Sequence, residues 1–436
     1  MSQALHTDHY ELTMLDALVL AGQADRESVF EVFAREIPLG RPYGVLCGNG
    51  RLIESVRNFI FGDGELDFLE SQKIISRKTR DWLTNFKFTG DITTYREGEM
   101  YFPFSPVLTV EARLGEALIL ETLILSILNF DSAVASAASR IVEATSGRFV
   151  MEAGSRRVTP EAAICAARAA YIGGVHVTSN LEAGKRWGIP TAGTASHAFT
   201  LAFESEEEAF QIQANHLGEE TIFLVDTYDI ETGIRNAVRA SNARLRGIRI
   251  DSGDLRTETR AARKILDDLG AHQAQIMVSG DLDEYKIRDL GDSPIDAFES
   301  GHRLVTGSGS ASAGFVYKLV AIEDPCAEGR MRAVAKKSEG KKSQGGKKIA
   351  KRRIDFDGIA LEESLFLASG SKEKDQSGNY RDLQFPLIQK GNGCEDWGVG
   401  DARKHLTKIT LEIPEELRLQ VNSDPAIPTV VHRESL

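Results

Sequence analysis

Between about residue 146 and residue 301 the chain repeats one pattern seven times: a short apolar run followed by a stretch with helical spacing. The runs are RFVMEAG (148–154), AYIGGVHV (170–177), GIPTAG (188–193), TIFLVD (221–226), GIRID (247–251), AQIMVSG (274–280) and IDAFESG (295–301). The intervening segments carry helix punctuation. TPEAAICAARAA offers Thr159 as an N-cap and Pro160 at the first helical position, and RTETRAARKILDDLG stops on Gly270. Strands separated by helices pair in parallel through crossovers, so the pattern predicts an α/β fold whose sheet is open or closed into a barrel.

A parallel arrangement places the carboxyl ends of all its strands on one rim, where α/β active sites sit. Here those ends are polar or glycine-rich: Gly154-Ser155-Arg156-Arg157, Thr178-Ser179-Asn180, His197, Asp226, Asp251-Ser252-Gly253-Asp254, Ser279-Gly280-Asp281 and Gly301. The two Ser-Gly-Asp triplets each follow an apolar strand. Glycine lets backbone N–H groups approach a phosphate, and serine adds a donor. The small-residue stretch GSGSASAG (307–314) follows the last run, where barrels often hold phosphate. Arg156, Arg157 and Arg249 supply guanidinium groups that match phosphate or carboxylate. A structural ion pair of these arginines with Asp226 or Asp251 is the alternative. Asp226 and Asp251 are candidates for a ribose hydroxyl or Mg²⁺. Together these residues predict an anionic, phosphorylated sugar substrate without specifying the reaction. No P-loop, dinucleotide-binding fingerprint or zinc-spaced cluster is present in the sequence.

The 436 residues carry a net charge of −12, which disfavours bulk nucleic-acid or membrane-surface binding. Cys47, Cys165, Cys326 and Cys394 are scattered with no C-x-x-C pair, a distribution that fits a reducing, cytoplasmic setting and no metal site. The N-terminus lacks the basic and apolar regions of a signal peptide. EALILETLILSILNF (116–130) is broken by Glu121 and Ser126 and reads as a buried core helix. Residues 90–115 suggest β structure. KKSEGKKSQGGKKIAKRR (336–353) holds nine basic residues and one acid, either a solvated loop or a cover for polyphosphate.

Eight motifs then occur in a single order: TDHYELTM (7–14), GSRR (154–157), TSN (178–180), GTASHAF (193–199), LVDTYD (224–229), RIDSGDL (249–255), VSGDL (278–282) and VAKKSEGKKSQGGKK (334–348). In this set the chain resembles the nicotinate phosphoribosyltransferase family over residues 5 to about 350. The resemblance implies an irregular TIM-like α/β barrel (146–325) joined to an α+β domain made from the N-terminal part (1–145) and a C-terminal segment (326–436). It implies a homodimer with shared active sites. It also implies a reaction in which nicotinate and phosphoribosyl pyrophosphate give nicotinate mononucleotide and pyrophosphate, coupled to ATP hydrolysis. Mg²⁺ would accompany ATP and phosphoribosyl pyrophosphate, with no tightly bound cofactor.

Residue by residue, His197 matches the histidine that ATP phosphorylates. Tyr10 resembles the aromatic that stacks on the pyridine ring from the neighbouring subunit. Arg249 looks like the partner of the nicotinate carboxylate. Arg156, Gly280, Asp281 and Gly301 resemble the 5′-phosphate contacts, and Asp251, Ser252 and Gly253 the ribose side, with Asp226 and Thr178 on the same rim. Ser179 falls where nicotinamide-using relatives carry an aspartate. The chain departs from the family pattern at Ala153, where a larger residue is usual, and at His176. It also departs in FESGHRLV (298–305), which replaces a glycine-rich stretch and puts His302 where threonine is usual.

Overall fold

The computed structural model describes residues 2–218, 221–327, 329–336, 344–368, 379–394, 398–421 and 424–432. The middle of the basic segment, 337–343, lies outside them. Two compact units are present: Ala137–Gly309, and a second formed by Met1–Ser136 with Ser310–Leu436.

The first unit is built on a six-stranded parallel sheet. Its strands are β1 (Phe149–Glu152), β2 (Val177–Thr178), β3 (Ile222–Leu224), β4 (Gly247–Ile250), β5 (Gln275–Val278) and β6 (Ala297–Ser300), in the spatial order β2-β1-β6-β5-β4-β3. Every pairing in it is parallel. Six of the seven apolar runs therefore become strands. The seventh, GIPTAG, contributes only a single bridge between Thr191 and Thr178. No ladder joins β3 to that bridge, so the sheet is an open half-barrel. The run AYIGGVHV divides: its first half completes helix Pro160–Ile172, and only Val177 belongs to β2.

Strand alternation separates two faces. Ile248, Ile250, Phe223 and Ile276 are fully buried among Phe210, Ile234, Ala237, Ala262 and Leu266 of helices Glu206–Leu217, Ile230–Ala240 and Leu255–Asp268. Burying each of these large apolar side chains contributes about 1.5–3 kcal/mol. Side-chain carboxylates start two of the helices, Asp229 accepting from Thr232 N–H and Asp254 from Arg256 N–H. Helix Ile230–Ala240 lies so close to the sheet that a Cβ at Gly233 would be 2.3 Å from the Val225 carbonyl oxygen. Close approach at that position requires glycine.

The second unit centres on a seven-stranded sheet in the order Met331–Ala333, Phe315–Glu323, Glu27–Ala34, Leu108–Arg113, Asp91–Tyr95, Gln384–Gln389, Asn392–Gly393. Phe315–Glu323 falls inside the 146–325 range expected for the barrel, yet it pairs antiparallel with Glu27–Ala34. The reason is packing: Tyr317 stacks on Phe30 with ring centroids 4.6 Å apart, and its hydroxyl donates to the Ala117 carbonyl. Leu114–Ala144 is long and apolar enough to cross a membrane, but Leu123, Ile124, Ile127 and Leu128 in its helix Glu121–Ala144 are buried in protein.

A buried ionic network is the other support of this unit. Arg352 bonds Glu363 (2.9 Å), and Arg381 bridges Glu99 (2.6 Å) and Glu412 (2.8 Å). His405 Nε2 contacts Glu99 at 2.8 Å. Burial alone would raise the Glu99 carboxyl, but His405, Arg381 and Arg352 outweigh it and hold it well below the usual carboxylate range. A depressed carboxylate stabilises the fold above its unfolded pKa and loses that contribution as pH falls toward the folded one. We predict that Glu99→Gln costs about 3–5 kcal/mol at pH 7, because two arginines lose a buried partner. Urea unfolding of both proteins at pH 7 and pH 3.5 checks this. The gap between them should narrow at the lower pH, and a gap independent of pH would refute the assignment.

Candidate active site

The rim of the half-barrel gathers its polar groups through three local devices. The first joins β3, β4 and β5. The Asp226 carboxylate, just after β3, accepts from the Asp251 backbone N–H at 3.0 Å and from the Ser252 hydroxyl at 2.6 Å. The Asp251 carboxylate in turn accepts from the Ser279 hydroxyl after β5. Three neighbouring strand ends are thereby tied edge to edge. One oxygen of Asp226, Oδ1, is buried with no hydrogen-bond partner among the described residues.

The second device is the pair of Ser-Gly-Asp turns. Gly253 has φ of 85° and Gly280 of 123°, backbone conformations open to glycine and strained for other residues. The two triplets are not equivalent. Asp254 is spent as a helix cap, accepting also from the Thr257 hydroxyl. Asp281 is exposed, and Asp283 takes the capping role for helix Glu284–Leu290. Gly301 precedes helix His302–Val305, and a Cβ there would lie 3.3 Å from the Ala153 carbonyl oxygen of the adjoining strand end. The neighbouring turn packs even more tightly, since a Cβ on Gly154 would reach 2.3 Å from Val305.

The third device is the inward face of the strands. Arg249 lies on β4 between Ile248 and Ile250, so alternation turns it away from the helix-packed core. Its Nη1 donates to the Thr194 hydroxyl and to Glu299 Oε2 at 3.0 Å; Nη2 donates to the Ala195 carbonyl at 3.3 Å. Nε is buried without a hydrogen-bond partner among the described residues. The ion pair considered from sequence, with Asp226 or Asp251, is corrected to Glu299. The two aspartates are committed to the β3–β5 ties, and Glu299 on β6 reaches Arg249 across β5.

Other residues singled out in the sequence fall as follows. His197 opens helix His197–Leu201, half-buried, with Nδ1 3.2 Å from the Thr227 hydroxyl. Arg156 and Arg157 occupy an exposed turn after β1, with no ion pair among the described residues. Ser179 is half-buried, its N–H donating to the Glu152 carbonyl. Thr178 is 1% exposed at the end of β2, and its hydroxyl donates to Glu152. His176 is half-buried; its Nδ1 accepts from the Val150 N–H at 3.1 Å and its ring stacks on Phe149. Tyr10 belongs to the other unit, on helix His9–Leu20, 45% exposed. Its phenol is pushed up to about 12, first by partial burial and then by Glu121, Glu11 and Asp8, so it stays neutral at physiological pH.

Glu152, Glu299, Thr194 and Thr227 were missed. Glu152 and Glu299 carried a signal: each is a lone acid inside an apolar strand, FVME and AFES. Burial first, and then the charge of Glu299, raises the Glu152 carboxyl, while Thr178 and the Gly154 N–H act against them.

A parallel half-barrel with glycine turns at its strand ends and a half-buried arginine on an inward strand position is an arrangement that fits the phosphoribosyltransferases of the quinolinate and nicotinate kind, and the matches bear that class out. Residues 5–129 match the nicotinate phosphoribosyltransferase N-terminal domain model, and residues 134–307 the quinolinate phosphoribosyl transferase C-terminal domain model. The chain is 44% identical over 433 residues to nicotinate phosphoribosyltransferase pncB1 of Mycobacterium tuberculosis, covering 98% of this chain and 94% of the relative. It is 37% identical over 332 residues to nicotinate phosphoribosyltransferase of Bacillus subtilis, covering 74% of this chain and 68% of that one. The crystal structure of human nicotinic acid phosphoribosyltransferase has the same fold, with a TM-score of 0.81 at 23% identity over 98% of this chain and 97% of that chain. This chain belongs to the nicotinate phosphoribosyltransferase family.

The geometry makes a direct prediction for Gly280. Replacing it with alanine forces a Cβ onto a backbone at φ of 123°. We expect a loss of about 1–3 kcal/mol in stability. Weaker binding of phosphoribosyl pyrophosphate, read by thermal-shift titration, should accompany it. Unchanged stability and unchanged ligand shift would show that the turn is not held in this conformation.

Proposed function

We propose that this protein transfers phosphoribose to nicotinate with ATP coupling through His197, the first step by which nicotinate enters pyridine nucleotide synthesis. The observation that carries the reading is Arg249. Its guanidinium is held by Thr194, Ala195 and Glu299, with Nε, on the edge it shares with Nη2, unpartnered among the described residues. A planar carboxylate suits that edge. The pyridine nitrogen attacks the anomeric carbon, a C–N bond forms, and the C–O bond to pyrophosphate breaks. Arg156 with the Gly280, Asp281 and Gly301 turns would receive the 5′-phosphate. Asp251, held by Ser279, and Ser252 with Gly253 would orient the ribose hydroxyls. Ser179 would permit an anionic base, since a hydroxyl there adds no like charge.

Mg²⁺ entering with the phosphate substrates fits Asp226, whose buried Oδ1 is a hard oxygen ligand without a hydrogen-bond partner among the described residues. Bound there, the ion would neutralise charge developing on pyrophosphate. His197 would take the phosphoryl group from ATP and release it to water. The proposal includes a cytoplasmic homodimer in which Tyr10 of one subunit serves the other's base site.

The test is direct. Purified protein with nicotinate, phosphoribosyl pyrophosphate and Mg²⁺ should form nicotinate mononucleotide and pyrophosphate in equal amounts, faster with ATP. Absence of the mononucleotide under both conditions would overturn the reading. γ-Labelled ATP should leave an acid-labile label on the protein that His197→Ala abolishes, and that variant should lose ATP stimulation more than basal transfer. Label persisting on His197→Ala would remove His197 from the ATP step.

Subunit sharing has its own check. Tyr10→Ala and His197→Ala are each expected to be impaired, and mixing them should regain a fraction of the activity through hybrid sites. No regain after demonstrated subunit exchange would assign both residues to the same chain's site.

A further inference from the structure

Strand β6 carries Phe298 and Glu299 on opposite faces. Phe298 is fully buried, with the Arg148 guanidinium 4.8 Å from its ring centre. Glu299 faces inward and spans β5 to reach Arg249 on β4. The two side chains retain 12% and 11% of their exposure, so the pair is shielded from bulk water without being sealed. An ion pair so placed is weakly screened, and its charges act strongly on whatever arrives next to it.

The electrostatic balance around Arg249 follows from its neighbours. Thr194 and Ala195 offer it neutral acceptors. Glu299 offers a full negative charge. Glu152, on β1 beside β6 and on the opposite face of the sheet, is close enough to Glu299 for their charges to oppose each other, and it makes no contact with Arg249 among the described residues. The guanidinium therefore meets an incoming base with its charge already cancelled. A carboxylate at its Nε edge makes two anions share one cation. A neutral carboxamide still finds a donor on Arg249 and brings no second negative charge.

Resting on the base site proposed above, we propose that Glu299 is a specificity-determining residue that moderates the preference of this site for an anionic pyridine carboxylate over a neutral carboxamide. It acts as an internal counter-ion: it fixes the guanidinium and at the same time lowers the attraction for nicotinate relative to nicotinamide.

The experiment compares kcat/KM for nicotinate and nicotinamide, at saturating phosphoribosyl pyrophosphate, in the wild type and in Glu299→Gln. Glutamine keeps an oxygen acceptor for Arg249 and nearly the same shape while removing the charge. The expected result is a rise of about tenfold in the nicotinate-to-nicotinamide ratio of kcat/KM, carried by a lower KM for nicotinate with little change in kcat. Glu299→Gly, which deletes the side chain, must move the ratio in the same direction, and stands in if the glutamine variant does not fold. Equal changes for both bases, or a fall for nicotinate alone, would mean that Glu299 serves only to hold Arg249 and would overturn the proposal. If the wild type converts neither base, the reading of the site itself fails and this inference falls with it. If the wild type converts nicotinate and the ratio does not move, only this inference fails.

Discussion

Parallel strand pairing is the constraint on which the site depends. Each of the six strands in the half-barrel runs in the same direction, so each hands its carboxyl end to the same rim. Nothing else in the sequence brings residue 152 near residue 299, or residue 226 near residue 251. The pairing puts Arg249 and Glu299 on inward positions of apolar strands and Glu152 on the opposite face of the next strand, where shielding from water makes each charge matter. It also lets short side chains do long-range work: two aspartates, two serines and a backbone N–H tie three strand ends together.

The second unit solves a different problem. Its long antiparallel sheet mixes strands from both ends of the chain, and a separate four-stranded sheet that includes Lys348–Ile354 and Tyr380–Asp382 brings charge with it. Arg352 and Arg381 arrive from the C-terminal part and meet Glu99 from the N-terminal part. Lys348, inside the basic segment, likewise reaches Glu31 at 2.6 Å. Breaking one partner of such pairs leaves an uncompensated buried charge, which is why they constrain which strands sit together. On the same unit, Glu11 accepts from the backbone N–H of Thr122 at 2.9 Å and from the hydroxyls of Thr7 and Thr122. The residue next to Tyr10 is thereby fixed to the start of helix Glu121–Ala144.

The period of the apolar runs made the parallel sheet legible, because strands of four or so apolar residues separated by capped helices admit few other folds. The polar residues at the strand ends were legible for the same reason: a Ser-Gly-Asp turn after an apolar run has few structural explanations. What stayed hidden was geometry across strands. GIPTAG looks like a strand by composition, but Pro190 has no N–H to give a ladder, and one bridge at Thr191 is what remains. AYIGGVHV looks like one element because its apolar residues are contiguous, yet Gly173 and Gly174 end a helix there. The partner of Arg249 could not be read from the strand that carries it, since it comes from two strands away. Thr178 reads as a rim residue, and the buried acid it serves, Glu152, comes from another strand. Phe315–Glu323 follows the barrel in sequence and pairs in the other unit because its aromatic face matches Phe30.

The claim at the centre of this account is that the rim of the half-barrel binds nicotinate mononucleotide with its carboxylate on Arg249. A crystal structure of the protein with that nucleotide measures it most directly. The account predicts a carboxylate oxygen about 2.7–3.2 Å from Arg249 Nε or Nη2, with the 5′-phosphate against Arg156 and the Gly280 and Gly301 turns. A nucleotide bound with its carboxylate turned away from Arg249, or with its phosphate outside those turns, would contradict it.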